Sequence, residues 1–253
     1  MAPSAGQRYL AEFLGSFILL FVGGGSAVFT AYLTATPGVS VVPRFILISF
    51  SFGIGVMAAI YIFGDISGGH FNPAVTLAMW FTKRMERADL GPYLVAQILG
   101  GITGISVALG IVSSGGSGGY SATQAEALGS QGFSGFGAPA YFQFNLGSVL
   151  LLEIAITFVF VLVILSVTRS GSPVKNLAPL VIGLTLLVAN LVALPIDGSS
   201  INPIRSFSPA VVSAMWPSAR WAIVESWAFW VAPIVGGLLA AFVERYFHPA
   251  ETT

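Results

Sequence analysis

Six stretches of this chain contain no Asp, Glu, Lys or Arg: Phe13 to Pro43, Phe45 to Gly64, Leu90 to Ala125, Ala127 to Leu152, Asn176 to Ile196 and Ser226 to Val243. Each is close to or longer than the roughly 20 apolar residues that a helix needs to cross a bilayer. A soluble fold requires charge to wet its surface. Charged residues make up 8% of the 253 positions and hydrophobic ones 55%, against about 25% charged in an ordinary soluble domain. The solvent of this chain is therefore mostly lipid. Six spans are expected, over residues 10–32, 45–64, 91–112, 146–168, 177–195 and 221–246. The first reads as part of the mature protein and not as a signal peptide, because it is long, carries Glu12 and lacks a cleavage site.

Two apolar pieces remain, 66–82 and 206–219, opened by Asn72-Pro73 and Asn202-Pro203. Both are too short to cross. Short apolar segments of this kind mark re-entrant half-helices, whose irregular backbone is tolerated only where it lines a cavity or is buried in protein. Half-helices are expected over 72–82 and 202–214.

Other classes of function fall away on composition. Ten basic residues balance ten acidic ones, so no electrostatic footprint for nucleic acid exists. Cysteine is absent and histidine occurs twice, which excludes disulfide scaffolds, thiolate metal sites and thiol nucleophiles. No HExxH run and no workable Ser/His pair stands in the sequence. Neither an enzyme nor a bound cofactor is expected.

The positive-inside rule sets orientation. With the N-terminus inside, Arg8, Lys83, Arg84, Arg87, Arg169, Lys175 and Arg245 are cytoplasmic, Arg44 and Arg220 lie outside, and Arg205 is unassigned. Both termini are then cytoplasmic. The long loop over 113–144 begins with a Gly/Ser-rich run, residues 113–119, and reads as a flexible extracellular connector without a function of its own.

Laid against each other, the two halves match in order. Glu12 corresponds to Glu153, and Gly53 and Gly183 each stand nineteen residues before an Asn-Pro. Gly68 and Gly198 stand four before it, and Gly100-Gly101 corresponds to Gly236-Gly237. The organisation is a first repeat over 1–112, the connector over 113–144 and a second repeat over 145–253. Three spans per half is an odd number, so the repeats are inverted. The fold expected is an all-α membrane protein with six transmembrane helices plus two re-entrant half-helices. Two half-helices of about ten residues, end to end, reach about 30 Å at 1.5 Å per residue, the thickness of the hydrocarbon.

Asn is a strong N-cap, and Pro suits the first helical position. Both half-helices therefore start at the midplane and point two positive dipole ends at one spot. The Asn72 and Asn202 amides could each donate to a water there. That water's oxygen could not then also accept a proton from its neighbour, and cations would be disfavoured.

The runs 67–76 (SGGHFNPAVT) and 197–210 (DGSSINPIRSFSPA) resemble the two signature loops of the aquaporin (major intrinsic protein) family, and the resemblance covers nearly the whole chain. It implies a homotetramer with one pore per subunit. The pore midplane would be formed by Asn72, Pro73, Ala74, Asn202, Pro203 and Ile204. Ile204 departs from the Ala usual in the second motif and would stand where the loops abut. The resemblance places a selectivity filter at Phe52, Asn190, Ser199 and Arg205. Asn190 matches neither the His usual in water channels nor the Gly of glycerol channels. Ser206, Ala210, Phe229 and Trp230 match the water type.

Glu12 and Glu153 are charges inside spans and need partners. They would either relay protons or, as the resemblance implies, accept hydrogen bonds from the loops and hold the half-helices. His70 would line the pore or satisfy a buried loop. The function expected is a passive water channel that excludes protons and ions. A facilitator for glycerol or other small neutral solutes is the alternative, and an ion-coupled secondary transporter the competitor from another class. The expected partners are water, small neutral solutes and the lipid bilayer. Short termini without a glycosylation sequon point to a prokaryotic plasma membrane.

Overall fold

The computed structural model describes residues 2–34, 40–114, 127–134, 138 and 142–248. Six helices are long and apolar enough to cross a membrane: Ala5–Ala31, Val42–Ser67, Arg87–Ser113, Leu146–Thr168, Lys175–Asp197 and Pro217–Phe247. They are called spans one to six. Two shorter helices, Pro73–Phe81 and Pro203–Ser213, are the re-entrant half-helices. No strand occurs among the described residues.

The span ends differ from the sequence expectation for identifiable reasons. Span one begins five residues earlier, at Ala5, because Ser4 and Gln7 form a capping box: the Ser4 amide donates to Gln7 Oε1 at 2.8 Å and the Gln7 amide to Ser4 Oγ at 3.3 Å. Inside the bundle it passes through a π-helical turn, Leu19–Gly24. Spans two and five run on to Ser67 and Asp197, where Gly68 (φ 89°) and Gly198 (φ 87°) end them in the left-handed conformation. These are the two glycines that stand four residues before each Asn-Pro. Span six is broken at Ser226 and Trp227, between the short helix Trp221–Glu225 and the long Ala228–Phe247.

Matched glycines let the spans touch. A Cβ on Gly100 would enter the carbonyl of Phe13, and one on Gly236 the carbonyl of Ile154. Phe13 and Ile154 each follow the matched glutamate, so both halves use the same contact. Gly53 and Gly183 face each other across the pseudo-twofold: a Cβ on either would come within 2.6 or 2.7 Å of the other's carbonyl oxygen. Small residues at such crossings allow the close helix approach by which membrane helices associate.

Each half-helix packs chiefly against the third span of the opposite repeat, the first on span six and the second on span three. Gly237 meets the Ala74 carbonyl, with 3.0 Å to a Cβ, while Gly101 faces Ser208 and lies 3.6 Å, as a Cβ, from Ile204 Cδ1. Large apolar side chains such as Leu99, Leu151, Val188 and Phe242 are exposed on the outside of the bundle, as lipid contact requires.

The connector expected to be a bare tether is more than that. Residues 115–126, which include most of its Gly/Ser-rich run, lie outside the described residues. Residues 127–134, however, are folded into the protein, with Ala127, Leu128, Gln131 and Phe133 buried. The Gly132 amide donates to the Asp197 carbonyl at 3.1 Å and the Phe133 amide to Glu225 Oε2 at 2.9 Å.

Candidate functional site

The two Asn-Pro turns meet inside the bundle. Asn72 and Asn202 have extended backbones and cap their own helices, Oδ1 accepting from the Ala74 amide at 2.8 Å and from the Ile204 amide at 3.1 Å. Their Nδ2 groups reach across. Asn72 donates to the Ile201 carbonyl at 3.0 Å and Asn202 to the Phe71 carbonyl at 2.9 Å.

Phe71 and Ile201, one residue before each Asn, are non-glycine residues at φ 48° and 60°. Left-handed backbone in such residues costs about 1 to 3 kcal/mol each and persists only where the surroundings enforce it. The enforcing groups are the two glutamates. Glu12 accepts from the His70 amide (3.0 Å), the Phe71 amide (2.8 Å), Ser67 Oγ (2.7 Å) and Gln97 Nε2 (2.7 Å). Glu153 accepts from the Ser200 and Ile201 amides at 2.7 and 2.8 Å. Both carboxylates are fully buried. These contacts give each glutamate the loop-holding geometry.

A narrow cavity of about 20 Å³ passes this junction, lined by Leu19, Phe52, Val56, His70, Phe71, Asn72, Phe160, Leu186, Asn190, Ser200, Asn202 and Arg205. Its apolar wall follows the repeat: Leu19 and Phe160 each stand seven residues after the matched glutamate, and Val56 and Leu186 each three after the matched glycine. Its polar end breaks the repeat. Phe52, Asn190 and Arg205 correspond by the same count to Ile182, Ile60 and Val75.

At that end the Arg205 guanidinium carbon lies 4.8 Å from the centre of the Phe52 ring, a cation–π contact. Arg205 donates to the Gly129 carbonyl at 2.8 Å and to the Gly198 carbonyl at 3.1 Å. Gly129 belongs to the connector and follows two further left-handed residues, Ala127 and Leu128, so the chain there is coiled to offer its carbonyl. Asn190 donates one N–H of Nδ2 to the Leu186 carbonyl of its own helix at 2.8 Å, which leaves its carbonyl oxygen and its second N–H for the cavity. A wider cavity of about 370 Å³ opens beyond, with Arg44, Phe45, Ile48, Gly129, Ser130, Phe142 and Gly198 among its walls and Arg205 shared between the two. Arg44 is held there by Thr30 Oγ1 (3.2 Å) and the Ala27 carbonyl (3.0 Å).

Four residues expected at the midplane and one expected in the filter do not line either cavity. Pro73, Ala74, Pro203 and Ile204 are buried behind the two asparagines, and Ile204 packs beside Gly101 of span three. Ser199, at φ 59°, is fully buried and donates its amide to Asp197 Oδ1 at 2.7 Å. Its neighbours Gly198 and Ser200 line the two cavities instead. Ser200 is fixed by Ser206, whose hydroxyl donates to it at 2.6 Å. His70 does line the narrow cavity, with Nδ1 3.2 Å from Thr76 Oγ1 and its ring edge-on to Tyr93. The sequence reading missed Leu19, Val56, Phe71, Phe160, Leu186 and Ser200 of the narrow cavity and the Gly129 carbonyl of the connector, for which the apolar Ala127-Leu128 and Phe133 in an otherwise Gly/Ser-rich loop were a signal.

Comparison with known proteins decides the family. The model of the family described as Major intrinsic protein matches residues 2–244. The chain belongs to the major intrinsic protein family. It is 39% identical over 241 residues to an Aquaporin Z of Photorhabdus laumondii subsp. laumondii, covering 94% of this chain and 96% of that protein. It is 37% identical over 239 residues to a "Glycerol uptake facilitator protein-like 6" of Lactiplantibacillus plantarum, covering 94% and 97%. Among solved structures it resembles the aquaglyceroporin from Plasmodium falciparum, with a TM-score of 0.75 and 23% identity over 97% of this chain and 98% of that one, a likeness of fold. As a major intrinsic protein the chain is a membrane channel.

Proposed function

We propose that this major intrinsic protein is a passive water channel that performs no chemistry, with its selectivity set where Phe52, Asn190 and Arg205 meet. The size of the narrow cavity carries this reading. Its volume of about 20 Å³ compares with the roughly 10 to 15 Å³ that one water needs. A solute of six non-hydrogen atoms such as glycerol does not fit without movement of the wall. Water moving through would pass single file, with Arg205 donors and the Asn190 carbonyl on one side of the junction and the Asn72 and Asn202 amides at its centre. Two half-helix N-termini and a guanidinium disfavour any cation along this path.

Glycerol conduction is the second reading, supported by the 37% identity to a glycerol facilitator-like protein and by Asn190, which is shorter than the His of water-type members. The proposed setting is a homotetramer in a prokaryotic plasma membrane, with both termini cytoplasmic; the bacterial relatives support the membrane, and the distribution of Lys and Arg supports the orientation. Stopped-flow shrinkage of proteoliposomes with an impermeant osmolyte, then with glycerol, tests the reading. Fast shrinkage with slow glycerol re-entry is expected. Water flux no faster than in protein-free vesicles would sink it.

A further inference from the structure

Each repeat holds its loop by two consecutive loop amides donated to a buried glutamate, and the repeats differ in what else supports that carboxylate: Gln97 of the first has Pro233 as its counterpart, and Ser67 has Asp197. In the first repeat Ser67, five residues before Asn72, accepts from the Gly69 amide at 3.1 Å and donates its hydroxyl to Glu12 Oε1 at 2.7 Å. A hydroxyl can do both at once. In the second repeat the residue five before Asn202 is Asp197. It accepts from the Ser199 amide at 2.7 Å, the equivalent of Gly69. The next amide, that of Ser200, donates to Glu153 Oε1 at 2.7 Å. Consecutive amides thus seat one oxygen of each carboxyl side by side, and the two acids are in hydrogen-bonding contact. Both are fully buried, and Asp197 Oδ2 has no donor from elsewhere in the protein.

Two ionised carboxylates are acceptors only and cannot bond to one another. We propose that Asp197 and Glu153 bind one shared proton, which does for the second loop what the Ser67 hydroxyl does for the first. The proton sits on Asp197 Oδ2 and is donated to Glu153, which keeps its charge for the Ser200 and Ile201 amides. Asp197 is a positioning residue, acting on the loop through Glu153. The charge count favours the arrangement as well. Arg205 is the cation that faces the pair, and one proton reduces the buried group from a net negative charge to neutrality. Among the described neighbours of the pair, span six presents Gly236 beside Ile154 and the connector presents the Gly132 amide to the Asp197 carbonyl, neither of them charged.

The test is infrared spectroscopy of the purified channel in lipid, comparing wild type with Asp197→Ser, which recreates the first repeat's hydroxyl. The wild-type spectrum should contain the carbonyl stretch of a protonated carboxylic acid, shifted in deuterated water, and Asp197→Ser should lose it while remaining folded. Asp197→Asn, whose amide can also donate to Glu153, should lose it too. Glu225 is another buried acid with an unpartnered oxygen, so the reading is the difference between the variants. A band as strong in Asp197→Ser as in wild type belongs wholly to another acid and overturns the proposal, as does a wild type without the band. This arm is independent of what the pore conducts. In a second arm, at alkaline pH where the wild-type band disappears, water flux should be partly lost in wild type and unchanged in Asp197→Ser. Equal responses of the two proteins would overturn the positioning role.

Discussion

Asn72 and Asn202 each complete the other's loop: the Nδ2 of Asn72 donates to the carbonyl just before Asn202, and the Nδ2 of Asn202 to the carbonyl just before Asn72, at 3.0 and 2.9 Å. With Oδ1 of each capping its own half-helix, every amide retains one N–H for the lumen. The donor offered to water is therefore held rigidly from both repeats at once. Neither Asn can turn toward the pore without releasing the opposite backbone.

Arg205 closes the other end of the narrow cavity, and its removal separates two roles. Arg205→Val should leave water flux largely intact and admit protons or small cations, since the guanidinium charge is lost while the paired half-helix ends remain. The Gly129 and Gly198 carbonyls also lose their donor, so the connector over 127–134 should become more open to proteolysis. Electrical recording in planar bilayers checks the first outcome. No added conductance in a folded variant would refute the assignment of Arg205 to the filter.

The glutamates are expected to be structural. Glu12→Gln and Glu153→Gln replace one acceptor oxygen with a donor group, leaving at least one loop amide without its partner. Hydrogen bonds to a charged group contribute about 1.5 to 3 kcal/mol each, so both variants should unfold earlier in detergent and lose flux together. Normal folding with an altered proton dependence of transport would favour a proton relay.

Asn190 tests the width of the filter. Asn190→His should lower glycerol permeation more than water permeation, because the ring fills the space opposite Arg205. Asn190→Gly should raise glycerol permeation. Stopped-flow light scattering with glycerol gradients reads both, and a glycerol permeability equal in all three proteins would remove Asn190 from the filter.

Ile204 should matter for stability and not for conduction. Its side chain is fully buried against span three, and Ile→Ala at such a site costs about 2 to 5 kcal/mol. Ile204→Ala should lower the unfolding temperature in detergent and leave the ratio of water to glycerol flux unchanged. A shift in that ratio would put Ile204 back at the pore wall.

The spans, half-helices and repeat were legible because lipid writes them coarsely: long charge-free runs, and Asn-Pro at each half-helix start. Phe52, Asn190 and Arg205 line the narrow cavity where counting from a motif places them, because they sit on regular helices on which the count preserves the face. Counting failed at Ser199. The backbone there is left-handed at Ser199 and again at Ile201, which turns alternate side chains away from the direction that an even count predicts. The side of Ile204 was equally hidden, since it depends on packing against span three, which is distant in sequence. The connector's wall carbonyl was hard to read because a backbone group is not written in its own residue type, and only the apolar Ala127-Leu128 and Phe133 around it hint that the segment folds inward.

The exchange of half-helices between repeats bears on how the chain is made. Ala74 of the first half-helix rests against Gly237 of span six, which leaves the ribosome after the five other spans. Until then the first loop has its glutamate, but its docking face and the Phe71 carbonyl wait for a partner. Insertion of the first three spans therefore yields an unfinished half, and the pore closes around its lumen only when span six has been made. A chain shortened before span six would lose the support of the loop made first, far upstream of the cut.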